Sequence, residues 1–264
     1  MIGRQTELTI LKELLGHHMS VLVEGSVGVG KTALIMECLK VLKKKYIRID
    51  GDDRFTEDKL VGWFEPSKIM KKGYSKESFM PGPLVECMLE GKILFINEMN
   101  RLPEGVQNLL LPAVDEGEIQ INHIGMIKAK KGFCVVGTQN PQEFVATSDL
   151  SEALKDRFEY LGLAPLSQPE MLKVLEEKIG KVKPATLDFV KSYLHFTKDN
   201  KKILNGDSLR IILALTKVFE GLEGKFESSE KAYLAATVSL KNRLAFTDSY
   251  NFELFISDWL KKKV

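Results

Sequence analysis

Eight consecutive residues, Gly25-Ser26-Val27-Gly28-Val29-Gly30-Lys31-Thr32, fit G-x-x-x-x-G-K-[ST], a spacing suited to holding phosphate. Glycines let the backbone wrap an anion with its N–H groups, through dihedrals and close approaches that a Cβ obstructs. In such a loop Lys31 would neutralise the β- and γ-phosphates and Thr32 would ligate Mg²⁺, while the helix that follows adds the positive end of its dipole. A second centre lies in KILFINEMNR at 92–101, where an apolar run ends in Asn97-Glu98. Glu98 offers a carboxylate able to orient and polarise a water; its alternative role is to cap the next helix. Asn97 offers Mg²⁺ waters a neutral carbonyl oxygen where an Asp would offer charge. Restoring Asp at position 97 is therefore expected to tighten Mg²⁺ dependence or raise the rate.

The elements that must position these groups follow from hydrophobic periodicity. Residues 6–15 place Leu8, Leu11, Leu14 and Leu15 at helical spacing, SVLVE at 20–24 reads as a buried strand, and 31–44 as a helix. YIRID at 46–50, KILFIN at 92–97, FCVVGT at 133–138 and EYLGLA at 159–164 supply four more strands. Continuous apolar strands separated by helical patterns predict βαβ units around a parallel sheet. Two insertions break the rhythm: a polar one at about 51–80 containing Trp63, Phe64, Tyr74 and Phe79, and one at 118–131 that alternates around His123-Ile124-Gly125 and predicts a β-hairpin. Pro112 predicts a kink or early stop in the helix after Glu98. Beyond PLSQP at 165–169 only amphipathic helices are expected, near 169–179, 185–197, 207–221, 229–243 and 250–262.

Composition narrows the function. The 264 residues carry 38 Lys+Arg and 36 Asp+Glu, with 44% hydrophobic residues, a globular and nearly neutral balance that argues against a dedicated nucleic-acid binder. No stretch approaches the roughly 18 apolar residues of a membrane span, and the first residues lack a signal-peptide core, so a cytoplasmic protein is expected. Cys38, Cys87 and Cys134 are scattered and set among apolar residues, which predicts reduced core thiols. His17 and His18 are adjacent and have no Cys/His companions, a poor metal pattern. Lysine runs at 43–45, 71–72 and 261–263 read as solvated faces.

Taken in order, the motifs resemble a MoxR-type AAA+ ATPase along nearly the full length. Ile2-Gly3-Arg4 resembles the family's start, and the phosphate loop follows. Pro81-Gly82-Pro83-Leu84 resembles G-P-[LV]-[FL], Glu98 to Pro103 resembles E-I-N-R-A-P, and Gly137-Thr138-Gln139-Asn140-Pro141 resembles A-T-Q-N-P. Leu150 to Phe158 is similar to L-P-E-A-Q-L-D-R-F, and Gly206-Asp207-Ser208-Leu209-Arg210 to G-A-S-P-R, with Leu209 where Pro is usual. The resemblance implies an α/β P-loop NTPase (AAA+) domain over 1–164, with sheet order 5-1-4-3-2 and the insertions at about 51–80 and 118–131. A smaller all-helical lid domain over 165–264 follows, with a hinge at Pro165 to Pro169. It implies ATP and Mg²⁺ as ligands, Asn140 as a γ-phosphate or water sensor, and Arg210 as a lid arginine reaching the phosphates. Arg157 would be an arginine finger acting in trans, its alternative being a local ion pair with Asp156 or Glu152. Arg4 would line the nucleotide site or be solvated.

A finger in trans requires a ring, a hexamer by resemblance. The implied activity is ATP hydrolysis coupled to remodelling or activation of a client protein, with a von Willebrand factor A domain protein as a typical partner. Trp63, Phe64 and Lys128 to Lys131 are candidates for contact with a client. The rival readings are a nucleotide-dependent binding switch, with turnover negligible because of Asn97, and a DNA-associated AAA+ motor subunit, which the near-zero charge disfavours.

Overall fold

The computed structural model describes residues 1–140, 150–198, 200–206, 208–247 and 249–261. They form two compact units. One contains residues 3–25 and 31–163; the other contains Ile2, the loop residues Ser26–Gly30 and the chain from Ala164 onward.

The first unit is built on a parallel sheet of β1 (Val21–Glu24), β2 (Tyr46–Asp50), β5 (Ile93–Asn97), β8 (Cys134–Gln139) and β9 (Glu159–Gly162), ordered β2-β5-β8-β1-β9. Counting only these strands along the chain, the order is the expected 5-1-4-3-2. The apolar runs are continuous because the central strands are covered on both faces. Leu22, Leu94, Ile96 and Val135 pack with Leu84, Met88, Leu110 and the hairpin residues Ile119 and Ile127. Their strand neighbours Val21, Val23, Phe95 and Val136 are equally buried and point to the opposite face. There α1 (Gln5–Gly16) lies against β1, β9 and α2 (Lys31–Leu42), burying Leu11, Leu15, Leu34 and Ile35.

The first insertion carries α3 (Glu57–Val61), β3 (Gly62–Phe64), α4 (Pro66–Lys72) and β4 (Phe79–Pro81); β3 and β4 pair as an antiparallel ribbon. After it, α5 (Pro83–Glu90) leads into β5. The second insertion is the expected hairpin of β6 (Glu118–Ile121) and β7 (Gly125–Lys128), turning through His123 at φ +65°. The helix after β5 is broken into α6 (Glu104–Asn108) and α7 (Leu110–Asp115). Pro112 has no N–H for the carbonyl of Asn108, and the break falls at that carbonyl. A short α8 (Glu152–Lys155) precedes β9.

Five helices make up most of the second unit: α9 (Gln168–Ile179), α10 (Pro184–Lys198), α11 (Leu209–Gly221), α12 (Ser228–Leu240) and α13 (Phe252–Lys261). The first is started by a capping box in which Glu170 Oε2 accepts the Ser167 N–H at 2.8 Å. Aromatic rings dominate this core; Phe189 stacks on Phe219 with centroids 4.2 Å apart and on Trp259 at 5.0 Å. Lys231 is buried here, satisfied by Glu223 and by the Phe219 ring.

All three cysteines are free and buried. Burial pushes the Cys87 and Cys134 thiols up to about 12 and Cys38 up to about 11, so none is a poised thiolate.

The end of β2 is pressed onto the end of β5. Gly51 N–H donates to the Asn97 carbonyl at 2.7 Å, and a Cβ on Gly51 would stand 2.1 Å from the Glu98 carbonyl oxygen. Gly51→Ala is therefore expected to destabilise the protein by about 1–3 kcal/mol in urea unfolding. Gly105→Ala, in helix α6 with no atom nearer than 3.8 Å to its new Cβ, should be neutral or gain up to about 1 kcal/mol.

Candidate functional site

Parallel pairing brings the ends of β2, β5, β8 and β1 to one edge of the sheet. Register sets Asp50 beside Asn97 and Glu24 beside Gln139. From β1 the chain passes through the Gly25–Gly30 loop into α2, whose first two residues are Lys31 and Thr32. Lys31 Nζ curls back to donate to the Gly25 carbonyl at 2.6 Å.

The β5 tip is a hydrogen-bonded cluster. Thr32 Oγ1 donates to Asn97 Oδ1 at 2.9 Å, and Thr138 Oγ1 donates to the same oxygen at 3.1 Å. Asn97 Nδ2 donates to Asp50 Oδ1 at 2.8 Å. Asp50 also receives Arg48 Nη2 at 2.6 Å. That Arg48 bond, ahead of the one from Asn97, outweighs desolvation and holds the Asp50 carboxyl below its usual range, so it is ionised at neutral pH.

This donor set suits Mg²⁺. The Thr32 hydroxyl spends its proton on Asn97 and keeps its oxygen lone pairs for a cation. Among the described residues no group of three or more His, Cys, Asp or Glu could hold a metal alone. A cation here would draw its remaining ligands from phosphate and water, as Mg²⁺ does.

Glu98 sits at φ +58°, ψ +52°, at the head of the short 3₁₀ turn Met99–Arg101, with no side-chain capping bond. Its N–H donates to Thr138 Oγ1 at 2.8 Å. Its carboxylate is half exposed and paired with Arg101 Nε at 3.0 Å. The alternative of a helix-capping Glu98 is not what the chain adopts. Asn140 is buried just past β8, while Pro141 lies outside the described residues. Beside Asn140, the Gln139 side chain donates to the Glu24 carboxylate, which also accepts the Tyr160 hydroxyl at 3.3 Å.

Two arginines have partners that the sequence does not foresee. Arg157 donates through Nε and Nη2 to Asp115 Oδ2, each at 3.0 Å, and through Nη1 to the Ala153 carbonyl at 2.6 Å. The local partners foreseen for it, Asp156 and Glu152, give way to the last residue of α7, which chain folding brings alongside. Arg4 is not solvated: it is 3% exposed and paired with Glu7 at 2.9 Å.

Within the second unit, Gly28 takes φ +82°, and a Cβ there would meet Ser208 Oγ at 2.0 Å and Arg210 Cβ at 3.6 Å. The middle glycine of the loop is thus required twice, by conformation and by space. Asp207, beside these residues, lies outside the described ones. Of the insertion candidates, Phe64 is engaged with Phe79 and Tyr74, whereas Trp63 is half exposed. Lys128 pairs with Glu118.

Sequence reading assigns no role to Asp50, Thr138 or the Glu24–Gln139 pair. The available signal is positional: in a parallel sheet the last residues of neighbouring strands stand side by side, so the Asp that ends YIRID and the Asn that ends KILFIN are candidates for contact.

Residues 20–158 match the family model described as AAA domain (dynein-related subfamily). YeaC of Bacillus subtilis (strain 168), a protein described as uncharacterized, is 34% identical over 161 residues, covering 60% of this chain and 46% of its own. An uncharacterized protein of Staphylococcus epidermidis (strain ATCC 12228) is 30% identical over 156 residues, 58% of this chain and 59% of its own. The match thus spans about half the length of these curated relatives. Among solved structures, the RuvB Holliday junction branch migration motor of Thermotoga maritima is similar at a TM-score of 0.55 and 17% identity, over 90% of this chain and 70% of that one. NtrX from Brucella abortus in complex with ADP gives 0.56 and 15%, over 84% and 50%. At such identities the likeness is one of fold. The matched segment runs from the residue before β1 to the end of the Leu150–Phe158 block and takes in the phosphate loop, Asn97, Glu98 and Arg157: the chain belongs to the AAA domain family, dynein-related subfamily.

Proposed function

We propose that this chain binds ATP with Mg²⁺ and hydrolyses it as a MoxR-like AAA+ ATPase. In this reading it works in the cytoplasm as a closed ring, a hexamer by resemblance, that remodels or activates a client protein, with a von Willebrand factor A domain protein as partner. The observation that carries the catalytic part is the Thr32–Asn97 hydrogen bond, which fastens the phosphate loop's helix to the β5 tip beside Glu98.

Each residue has a separable task. Backbone N–H groups of Gly25, Ser26, Val27, Gly28, Val29 and Gly30 cradle the phosphates, and Lys31 leaves the Gly25 carbonyl to meet them. Thr32 and Asn97 hold the metal and its waters. Bound Mg²⁺ would neutralise phosphate charge. Glu98 leaves Arg101 to orient the attacking water, Asn140 and Arg210 sense the γ-phosphate, and Arg157 leaves Asp115 to reach a neighbouring subunit. Half-exposed pairs such as Glu98–Arg101 are worth only about 0–1 kcal/mol, so phosphate contacts readily displace them.

The same Glu98–Arg101 pair, together with the neutral Asn97, favours a second reading, a nucleotide-dependent binding switch with negligible turnover. Steady-state phosphate release separates the two. Glu98→Gln should lower the rate by about 10²-fold or more with nucleotide still bound, while Lys31→Ala should lose binding. ATP binding by the unmodified chain without phosphate release would support the switch.

Arg157→Ala should keep nucleotide binding and lose hydrolysis by about 10³-fold. Activity should return in part when Glu98→Gln subunits, which carry an intact Arg157, are mixed in. No recovery at any ratio would place the role of Arg157 within its own subunit.

A further inference from the structure

We infer that the carboxylate serving the Mg²⁺ shell stands on β2 in this chain, and that Asp50 delivers its charge to Thr32 through the side chain of Asn97. The inference rests on the proposed ATP·Mg²⁺ reading of the site and adds a residue to it.

Two observations carry it. The register of two adjacent parallel strands places Asp50 beside Asn97. The side-chain amide of Asn97 is oriented by bonds at both ends: its oxygen accepts Thr32 and Thr138, and its nitrogen donates to Asp50. Thr32, the first link, is the hydroxyl that the proposed reading gives to the metal. An amide that donates to a carboxylate carries more negative charge on its oxygen, because hydrogen bonds in a chain polarise one another. The Asn97 oxygen therefore accepts the Thr32 proton more strongly than an isolated Asn would, and so directs the hydroxyl's lone pairs toward the metal. Arg48 draws on the same Asp50 oxygen at 2.6 Å and tempers the effect. Asp50 is a positioning residue: it acts through Asn97.

This reverses the expectation for position 97. A carboxylate there would stand about hydrogen-bond distance from Asp50, and two like charges so close cannot both ionise freely. Asn97→Asp alone should therefore weaken Mg²⁺ handling, whereas exchanging the two residue types should preserve it.

The test is the Mg²⁺ midpoint for binding of a fluorescent N-methylanthraniloyl ATP, titrated from EDTA at neutral pH, with no turnover required. Asp50→Asn should raise the midpoint roughly tenfold, the difference between a charge-assisted and a neutral hydrogen bond. Asn97→Asp should raise it as well, and the double variant Asp50→Asn/Asn97→Asp should return it to within about twofold of the parent. Arg48→Ala, which frees the Asp50 oxygen, should lower it. Circular dichroism melts check that each variant is folded; the exchange variant and Arg48→Ala keep the test decisive if Asp50→Asn alone unfolds. An unmoved midpoint in Asp50→Asn, or in Arg48→Ala should Asp50→Asn unfold, overturns the inference and leaves the nucleotide reading standing. So does an Asn97→Asp midpoint as low as that of the double variant. Absence of nucleotide binding by the parent chain at every Mg²⁺ concentration overturns both.

Discussion

A single hydroxyl joins the two halves of the candidate site. Thr32 stands in the first turn of helix α2, Asn97 closes strand β5, and the bond between them fixes the start of α2 relative to the residue that follows β5. The sheet arrangement serves this contact. Parallel pairing sends the strand ends to the same edge, so the tips of β1, β2, β5 and β8 stand side by side. The strands bury apolar side chains on both faces, which holds their ends in register through bulk packing. A shift of one strand by a residue would exchange its side chains between two differently packed layers and mispair the polar residues at its tip.

Polar satisfaction at this edge is nearly reciprocal. Asn97 uses both ends of its amide, Thr138 supports the Glu98 N–H and the Asn97 oxygen at once, and Glu24 is shared by Gln139 and Tyr160. Such networks are costly when incomplete and stiff when complete. Around that centre, the charged side chains of the candidate site are held by partly exposed contacts: Lys31 on a backbone carbonyl, Glu98 on Arg101, Arg157 on Asp115. Geometry is thus fixed at the strand tips and left adjustable at the ends of long side chains.

Much of this was legible in the chain itself. Five strands, the hairpin, the helical C-terminal part and the break near Pro112 announce themselves through local periodicity and turn residues. The phosphate loop and Glu98 are local strings as well. What stayed hidden is contact across distant segments. Asp50 meets Asn97 over 47 residues of chain, and Arg157 meets Asp115 over 42; no spacing rule reaches that far. The burial of Arg4 was hidden for a similar reason, since nothing in Ile-Gly-Arg reveals that the fold closes over the arginine. The two short helices α3 and α4 of the first insertion were unreadable because α3 runs only Glu57–Val61 and α4 only Pro66–Lys72, too few turns to establish a period.

The four rings between the insertions have a mechanical meaning. His123, at the hairpin turn, lies flat on Tyr74 at 4.7 Å and edge-on to Phe64 at 6.1 Å, while Phe64 meets Phe79 across the β3–β4 ribbon. The hairpin and the ribbon leave the sheet at separate points in the chain, yet their tips share one joint. Together they act as a braced frame, like two struts pinned at the top. The ring packing at the pin adds to the strand pairing below it and to the burial of Ile119 and Ile127 in the core. A load applied to either strut is carried by both.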